Sequence, residues 1–394
     1  MGLVRQVYNY QNNSYFLKLF RTAPGPRRIQ LRNHPAQHES PVPPTATLAP
    51  ESPQLAATHP VADAARLGLT STPKTLPPWL FYDAPGSRLF EQITTLPEYY
   101  LTRTERELFT AHADEIFDLV SSSTGNQQLA TGNFALTIAE LGAGTASKTG
   151  ILLRALTQRQ PHVLYQPIDI SPTALDEARA QIELTIPSVT VRPRTANYIT
   201  ETVRIERPPH ARILALYIGS SIGNFSPAEA RLVLARLRSE LAPGDALLLG
   251  TDLAPNPALN GHSKSIATLL AAYNDAQGVT AAFNRNILSR LNRELGADFR
   301  PDRFIHRALW NPTHSRIEMH LESLSAQTVR IPAANGVAGA LILHFAPGET
   351  IHTENSYKFT PAAISTLLAS ARFTTIRTFT NPHNLFAVTL ATAV

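Results

Sequence analysis

Two short stretches carry side chains whose types and spacing could do chemistry. The first is Leu136 to Thr149, L-T-I-A-E-L-G-A-G-T-A-S-K-T, where an apolar run breaks into a Gly-x-Gly turn and then a helical pattern. Gly142 and Gly144 would let the backbone approach a ligand closely at the carboxyl end of a strand, where open α/β sheets bind nucleotides. Glu140 precedes the turn, and Asp169 closes the next apolar run, V-L-Y-Q-P-I-D-I. A carboxylate about 20 residues beyond such a turn typically accepts from ribose hydroxyls. The G-x-x-x-x-G-K-[ST] spacing of a phosphate-binding loop is absent, although Lys148-Thr149 ends the segment. An adenosine-containing cofactor without a phosphate grip, such as S-adenosylmethionine, is therefore set against an ordinary strand-turn-helix connection. Spacing alone leaves both readings open.

The second stretch is E-T-I-H-T-E-N-S-Y-K-F from Glu349, which places Glu354 and Ser356 two apart. In an extended segment both side chains face one way. An acid and a hydroxyl on one face could grip both nitrogens of an imidazole, whereas a solvated strand edge would account for the same pair. Between the two stretches lies I-G-S-S-I-G-N-F-S-P, Ile218 to Pro227, whose Asn224 offers a donor and acceptors to a ligand or serves as a helix-entry turn residue. Tyr82, Tyr99 and Tyr100 sit in aromatic pairs that packing alone would explain.

The elements that must position these groups alternate as a doubly wound sheet requires. Strands are expected at Leu136 to Leu141, Val163 to Ile170, Val189 to Arg194, Ile213 to Ile218 and Ala246 to Leu253. Helices are expected at Glu105 to Val120, entered through Thr102 or Thr104, at Ser171 to Leu184 and at Pro227 to Leu241. Ser87 is the expected cap of an earlier helix through Leu89, Phe90 and Ile93. Residues from Pro255 to about Pro347 interrupt this pattern, with helices at Ile266 to Ala276 and Ala281 to Leu295 and strands near Arg316 to Ser323 and Val329 to Ile331. Thr374 to Phe379 and Phe386 to Leu390 then return as antiparallel edge strands. The expected architecture is α/β, a Rossmann-like sheet with an inserted second α+β domain. Residues 56–103 and 263–357 would form the inserted, substrate-binding domain, and residues 104–262 and 358–394 the nucleotide domain.

Composition narrows the function classes. The 394 residues are 43% hydrophobic and 16% charged, as in a soluble globular protein, and include no cysteine. Disulfides, thiolate metal sites and cysteine nucleophiles are excluded, and a reducing cytoplasm fits. No apolar run approaches the roughly 18 residues that span a bilayer. The net charge of +5 gathers in the first residues, where Arg5, Lys18, Arg21, Arg27, Arg28 and Arg32 all precede the first acid, Glu39. That placement argues against a nucleic-acid groove in the rest of the chain. Residues 1–55 are proline-dense and aperiodic, which reads as a disordered leader. No secretory apolar region occurs there, and a mitochondrial transit peptide fits the acid-free start only loosely because serine is scarce.

Six stretches together, over about Leu76 to Val394, resemble the S-adenosylmethionine-dependent L-histidine N-alpha-methyltransferases of ergothioneine biosynthesis. They are F-Y-D-A-P-G-S from Phe81, L-P-E-Y-Y-L-T-R-T-E from Leu96, E-L-G-A-G-T-A-S-K-T from Glu140, I-G-S-S-I-G-N-F from Ile218, A-Y-N-D-A-Q-G-V-T-A-A-F-N-R-N from Ala272 and I-H-T-E-N-S-Y-K-F from Ile351. The resemblance implies a class I methyltransferase sheet and S-adenosylmethionine as cofactor, contacted by Gly142, Lys148 and Asp169, with Asn197 and Tyr198 flanking the adenine. It implies that Tyr99, Asn224 and Tyr273 hold the carboxylate and α-amine of histidine, with Tyr82 and Ser221 nearby. Glu354 and Ser356 would read the imidazole, and Met319 would line that pocket. Asn224 and Tyr82 are the expected catalytic groups, and no metal is implied.

Two departures from the family pattern stand out. Asn197 occupies a position where relatives usually carry an acid, although an amide still accepts from an exocyclic amine. The closing T-N-P-H-N-L-F-A-V replaces an aromatic-rich ending, with no functional reading. The implied activity is trimethylation of L-histidine to hercynine by a cytoplasmic monomer that binds neither nucleic acid nor membrane. A related N-methyltransferase for another amino acid or aromatic amine is the alternative enzyme, and a non-catalytic binder of S-adenosylmethionine or histidine the alternative outside catalysis.

Overall fold

In the computed structural model, residues 59–122, 136–199, 201–259, 261–333 and 339–394 are described; the expected leader lies outside them. The chain passes through α1 (Pro60–Leu69), the short β1 (Lys74–Thr75), α2 (Ala84–Thr95) and the long α3 (Tyr100–Ser122). It then alternates through β2 (Leu136–Leu141), α4 (Thr149–Thr157), β3 (Val163–Asp169), α5 (Pro172–Thr185), β4 (Val189–Val191), β5 (Arg194–Thr195), β6 (Arg212–Tyr217), α6 (Pro227–Ser239) and β7 (Ala246–Asp252). After α7 (Ile266–Ala271) and α8 (Val279–Leu295) come β8 (Phe304–Asn311), β9 (Arg316–Ser323), β10 (Gln327–Ile331), β11 (Leu341–Phe345) and β12 (Thr350–Tyr357). The chain returns through α9 (Pro361–Ser370), β13 (Phe373–Thr380) and β14 (Phe386–Ala393).

The larger sheet has eight strands in the order β13-β14-β7-β6-β2-β3-β4, with β5 beside β3. Strands β2 to β7 pair in parallel, while β14 runs antiparallel to both β7 and β13. This is the Rossmann-like α/β fold, with β2 buried at every position and flanked by β3 and β6. The chain winds outward from β2 in both directions, so a crevice opens at the carboxyl ends of the central strands. The second sheet has the order β1-β12-β9-β8. One face of the larger sheet (Ile138, Leu214, Leu248) shares a continuous apolar core with the second sheet (Ile317, Met319, Leu321) and α8 (Phe283, Ile287). The other face packs on α6 and α9 through Val233, Leu234 and Ile364.

Several boundaries differ from expectation for identifiable reasons. Asp83, not Ser87, caps α2, accepting the Gly86 N–H at 2.7 Å. Pro85 in the first turn has the fixed φ that helix entry favours, which moves the start upstream. Helix α3 begins at Tyr100, before either expected threonine. Pro193 offers no N–H, and the expected strand Val189 to Arg194 divides there into β4 and β5. Helix α7 ends at Ala271, and α8 starts at Val279 behind Gly278, whose φ of +74° turns the chain, with the Asp275 carboxylate accepting the first N–H groups of Val279 and Thr280. Of the two returning strands, β14 lies inside the sheet and β13 at its edge. The nearly unbroken burial of β14 is what a strand covered on both faces shows.

Candidate functional site

A cavity of about 440 Å³ opens at the carboxyl ends of β2, β3 and β6 and is lined by Gly142, Gly144, Lys148, Asp169, Tyr198, Ser221, Asn224, Tyr82 and Tyr99, among others. Gly142 has φ +66°, and a Cβ there would sit 3.0 Å from the Tyr198 hydroxyl. Gly144, at φ +52°, faces open space, with nothing within 4 Å of where a Cβ would lie. Asp169 ties the two rim loops together: Oδ2 accepts the Gly144 N–H and Oδ1 the Ser171 N–H, each at 2.9 Å. Burial raises the pKa of Asp169, and these backbone donors oppose the rise.

Charges beneath the rim hold its shape. Lys148 pairs with the fully buried Glu105 of α3, whose carboxylate also accepts the Gly219 N–H at 2.8 and 3.0 Å. Gly250 makes room for this, since a Cβ there would lie 2.1 Å from Glu105 Oε1. Glu140 is buried under the turn and accepts from the hydroxyls of Thr149, at 2.7 Å, and Tyr165. Burial pushes its pKa up to about 7 against the pull of those two bonds and of Lys148. Asn197 is not among the lining residues, and its Oδ1 accepts the Ile199 N–H at 3.1 Å.

The second group of residues is built on β12 and β9. Glu354 pairs in register with Met319, and Ser356 with Ile317, so Glu354, Ser356 and the buried Met319 share the inward face. A bulge between His352 and Glu354 adds Thr353, whose hydroxyl donates to Met319 O at 3.0 Å and Asn284 Oδ1 at 2.8 Å. Asn224, with its amide turned to donate, reaches Glu354 Oε1 and the Asn355 carbonyl at 3.3 Å each, which links this group to the cavity. Ser221 donates to Ile218 O at 3.2 Å within the same turn. The Tyr273 and Ser356 hydroxyls meet at 2.8 Å, and Tyr99 packs edge-on against Tyr273 at 6.3 Å between centroids. Tyr82 stands edge-on to Phe90 and Phe283.

Burial raises the pKa of Glu354 to about 7, and Lys358 opposes the rise. The phenols of Tyr82, Tyr99 and Tyr273 are held well above their ordinary range, chiefly by burial, with nearby acids such as Glu354 adding to it. They remain neutral O–H groups at any working pH.

A buried ionic network was not read from sequence. Asp252, at the end of β7, accepts from Lys264 at 2.5 Å, Lys358 at 2.8 Å and the Tyr100 hydroxyl at 2.8 and 2.9 Å. Lys358 also donates to Tyr273 and Ser356. An acid ending an apolar strand on the ligand rim was the available signal, together with the lysine inside Y-K-F. Glu318, His320 and His352 form a separate trio whose ligand atoms lie within 4.8 Å of one another. Arg316 and Asn311 already engage Glu318 Oε1, and His352 Nε2 faces the Glu354 carbonyl at 3.0 Å.

The arrangement can seat an adenosine on the glycine rim and present neutral hydroxyls, an amide and an acid to a second small molecule beside it. The family model for histidine-specific, SAM-dependent methyltransferases matches residues 61–393. The histidine N-alpha-methyltransferase of Mycolicibacterium smegmatis is 40% identical over 83% of this chain and 92% of its own length. That of Mycobacterium tuberculosis is 40% identical over 82% and 92%. The ergothioneine biosynthesis protein 1 of Neurospora crassa is 32% identical over 57% of this chain and 23% of its own length.

Proposed function

Because this chain belongs to the family of histidine-specific, S-adenosylmethionine-dependent methyltransferases, we propose that it transfers three methyl groups in turn to the α-amine of L-histidine, giving hercynine for ergothioneine biosynthesis. The observation that carries the substrate is the shared inward face of Glu354 and Ser356, joined to the cavity by Asn224. A carboxylate and a hydroxyl there suit the two ring nitrogens of an imidazole.

The glycine rim fits the cofactor: Gly144 faces open space, and Asp169 retains lone pairs for ribose hydroxyls. In this reading Gly142, Lys148, Asp169, Asn197 and Tyr198 hold S-adenosylmethionine, which supplies an electrophilic methyl group when bound. The chain's own task is to align a neutral amine with that methyl carbon and to exclude water. Asn224 and the phenols of Tyr82, Tyr99 and Tyr273 can orient the substrate amine and carboxylate without pairing the amine to an acid, which would keep it an ammonium. Met319 closes the ring pocket beside Glu354, and Ser221 supports the Asn224 turn. Proton loss to water, helped by these groups, needs no strong general base. Residues 56–103 and 263–357 would bind histidine, and residues 104–262 and 358–394 the cofactor, in a cytoplasmic monomer.

Incubation with labelled S-adenosylmethionine and each standard amino acid tests this. Label should enter histidine, and mass spectra should show mono-, di- and trimethylated products. Transfer to another amino acid with none to histidine would overturn the substrate, and accumulation of monomethylhistidine alone would overturn the trimethylation.

A further inference from the structure

We propose that Lys358 is a positioning residue that makes the Ser356–Tyr273 hydroxyl pair a hydrogen-bond donor toward the ring pocket, so that with Glu354 the site selects a ring carrying one N–H and one bare nitrogen. This rests on the reading of Glu354 and Ser356 as the imidazole pocket.

The assignment follows from counting hydrogens. The Lys358 ammonium has three N–H groups and three oxygen partners: Asp252 Oδ2 at 2.8 Å, Tyr273 OH at 2.7 Å and Ser356 Oγ at 2.9 Å. Its side chain and that of Asp252 are fully buried, so no solvent competes for these bonds. Both hydroxyl oxygens therefore accept from the ammonium. One hydroxyl hydrogen lies between them across 2.8 Å, whichever oxygen owns it. Among the described residues neither hydroxyl has any other partner, so the second hydrogen must point out of the pair. Glu354 alongside, when ionised, only accepts. Its charge also balances the cluster, because Lys264 and Lys358 share the single carboxylate of Asp252.

Acceptor and donor together match a neutral imidazole. A ring with N–H alone leaves the outward hydroxyl unsatisfied, and an imidazolium sets N–H against O–H. Without Lys358, Asp252 Oδ2 keeps the Tyr100 hydroxyl at 2.9 Å and has room to accept a second hydrogen. The spare hydroxyl hydrogen can then turn back toward it, and the pair presents a lone pair instead of a donor.

Calorimetry at pH 8 on the full chain saturated with S-adenosylhomocysteine tests this with two ligands, L-histidine and pyrrolylalanine, whose ring keeps one N–H and has carbon at the second nitrogen. The wild type should favour histidine by about tenfold or more. Lys358→Met should bring that ratio to within about threefold of unity and leave S-adenosylhomocysteine affinity within about threefold, since the latter ligand does not touch the hydroxyl pair. An unchanged ratio, or equal losses for both ligands, would overturn the inference and make Lys358 merely structural.

Tyr273→Phe provides a check that does not depend on folding without Lys358. Ser356 then still accepts from Lys358 and has no tyrosine to donate to. Absolute affinities fall but the ratio stays within about threefold of wild type, and its collapse would count against the proposal. If the wild type shows no preference and Glu354→Ala leaves histidine binding unmoved, the imidazole pocket itself is wrong. If the wild type does prefer histidine and Glu354→Ala does weaken histidine binding, yet Lys358→Met keeps the wild-type ratio, the error is confined to Lys358.

Discussion

Glu354 stands opposite Met319 in the β12–β9 ladder, so a half-buried acid faces inward beside a buried thioether. A carboxylate accepting from an imidazole N–H in such surroundings makes a charge-assisted bond worth roughly 1.5 to 3 kcal/mol. Glu354→Ala should raise the KM for histidine by roughly ten- to a hundredfold, at about 1.4 kcal/mol per decade. S-adenosylhomocysteine affinity by calorimetry should hold. Equal loss of both would make Glu354 a structural residue.

Asp169 is the residue proposed to hold the other ligand. Asp169→Ala removes the proposed ribose acceptor and releases the N–H groups of Gly144 and Ser171. The Kd for S-adenosylhomocysteine should rise by about tenfold or more, with the KM for histidine at saturating cofactor changing far less. A histidine KM that rises in parallel would show that the two halves of the site are not separable.

Asn197 invites a gain of function. Its Oδ1 already accepts the Ile199 N–H, and an aspartate would keep that bond while adding charge to the acceptor offered to an adenine amine. Asn197→Asp should tighten S-adenosylmethionine by roughly three- to tenfold, read by competition with labelled cofactor. No gain would place the adenine elsewhere.

Glu140 makes a prediction about stability. Burial raises its folded pKa from 4.5 to about 7, so the folded state holds a proton that the unfolded state releases over that interval. The contribution is therefore favourable below pH 4.5 and lost as pH rises through about 7. From the size of the shift, the swing is of the order of 3 kcal/mol. Urea unfolding at pH 5 and pH 8 should show Glu140→Gln less pH-dependent than wild type by that order. Parallel slopes would mean that Glu140 is ionised in the folded protein throughout.

The sequence made the parallel strands legible because a buried strand leaves a continuous apolar run, as in β2, β3, β6 and β7, while proline and serine punctuated α5 and α6. It hid β8, where only Phe304 and His306 are buried and the edge position leaves no clean alternation. The placement of Glu354 and Ser356 on one face was readable from their spacing. Their partners were not: Lys358, Asp252, Lys264 and Tyr100 converge from separate elements, and no local period marks a buried charge whose counterion lies a hundred residues away. The same holds for Glu105, whose room depends on the absent side chain of Gly250.

The extra residue in β12 has an evolutionary consequence. Upstream of the bulge, Ile351 and His352 are tied to Lys74 and Thr75 of β1; downstream, Glu354 and Ser356 share the inward face proposed to read the ring. A uniform strand would lock these halves in phase, so that any insertion or deletion on one side would turn every recognition side chain on the other to the wrong face. With Thr353 as a joint between them, mutation can reshape the downstream half toward a new substrate while the upstream half keeps its seat in the sheet. On the proposed reading, the residues that choose the substrate would then lie within the few positions of β12 beyond the bulge.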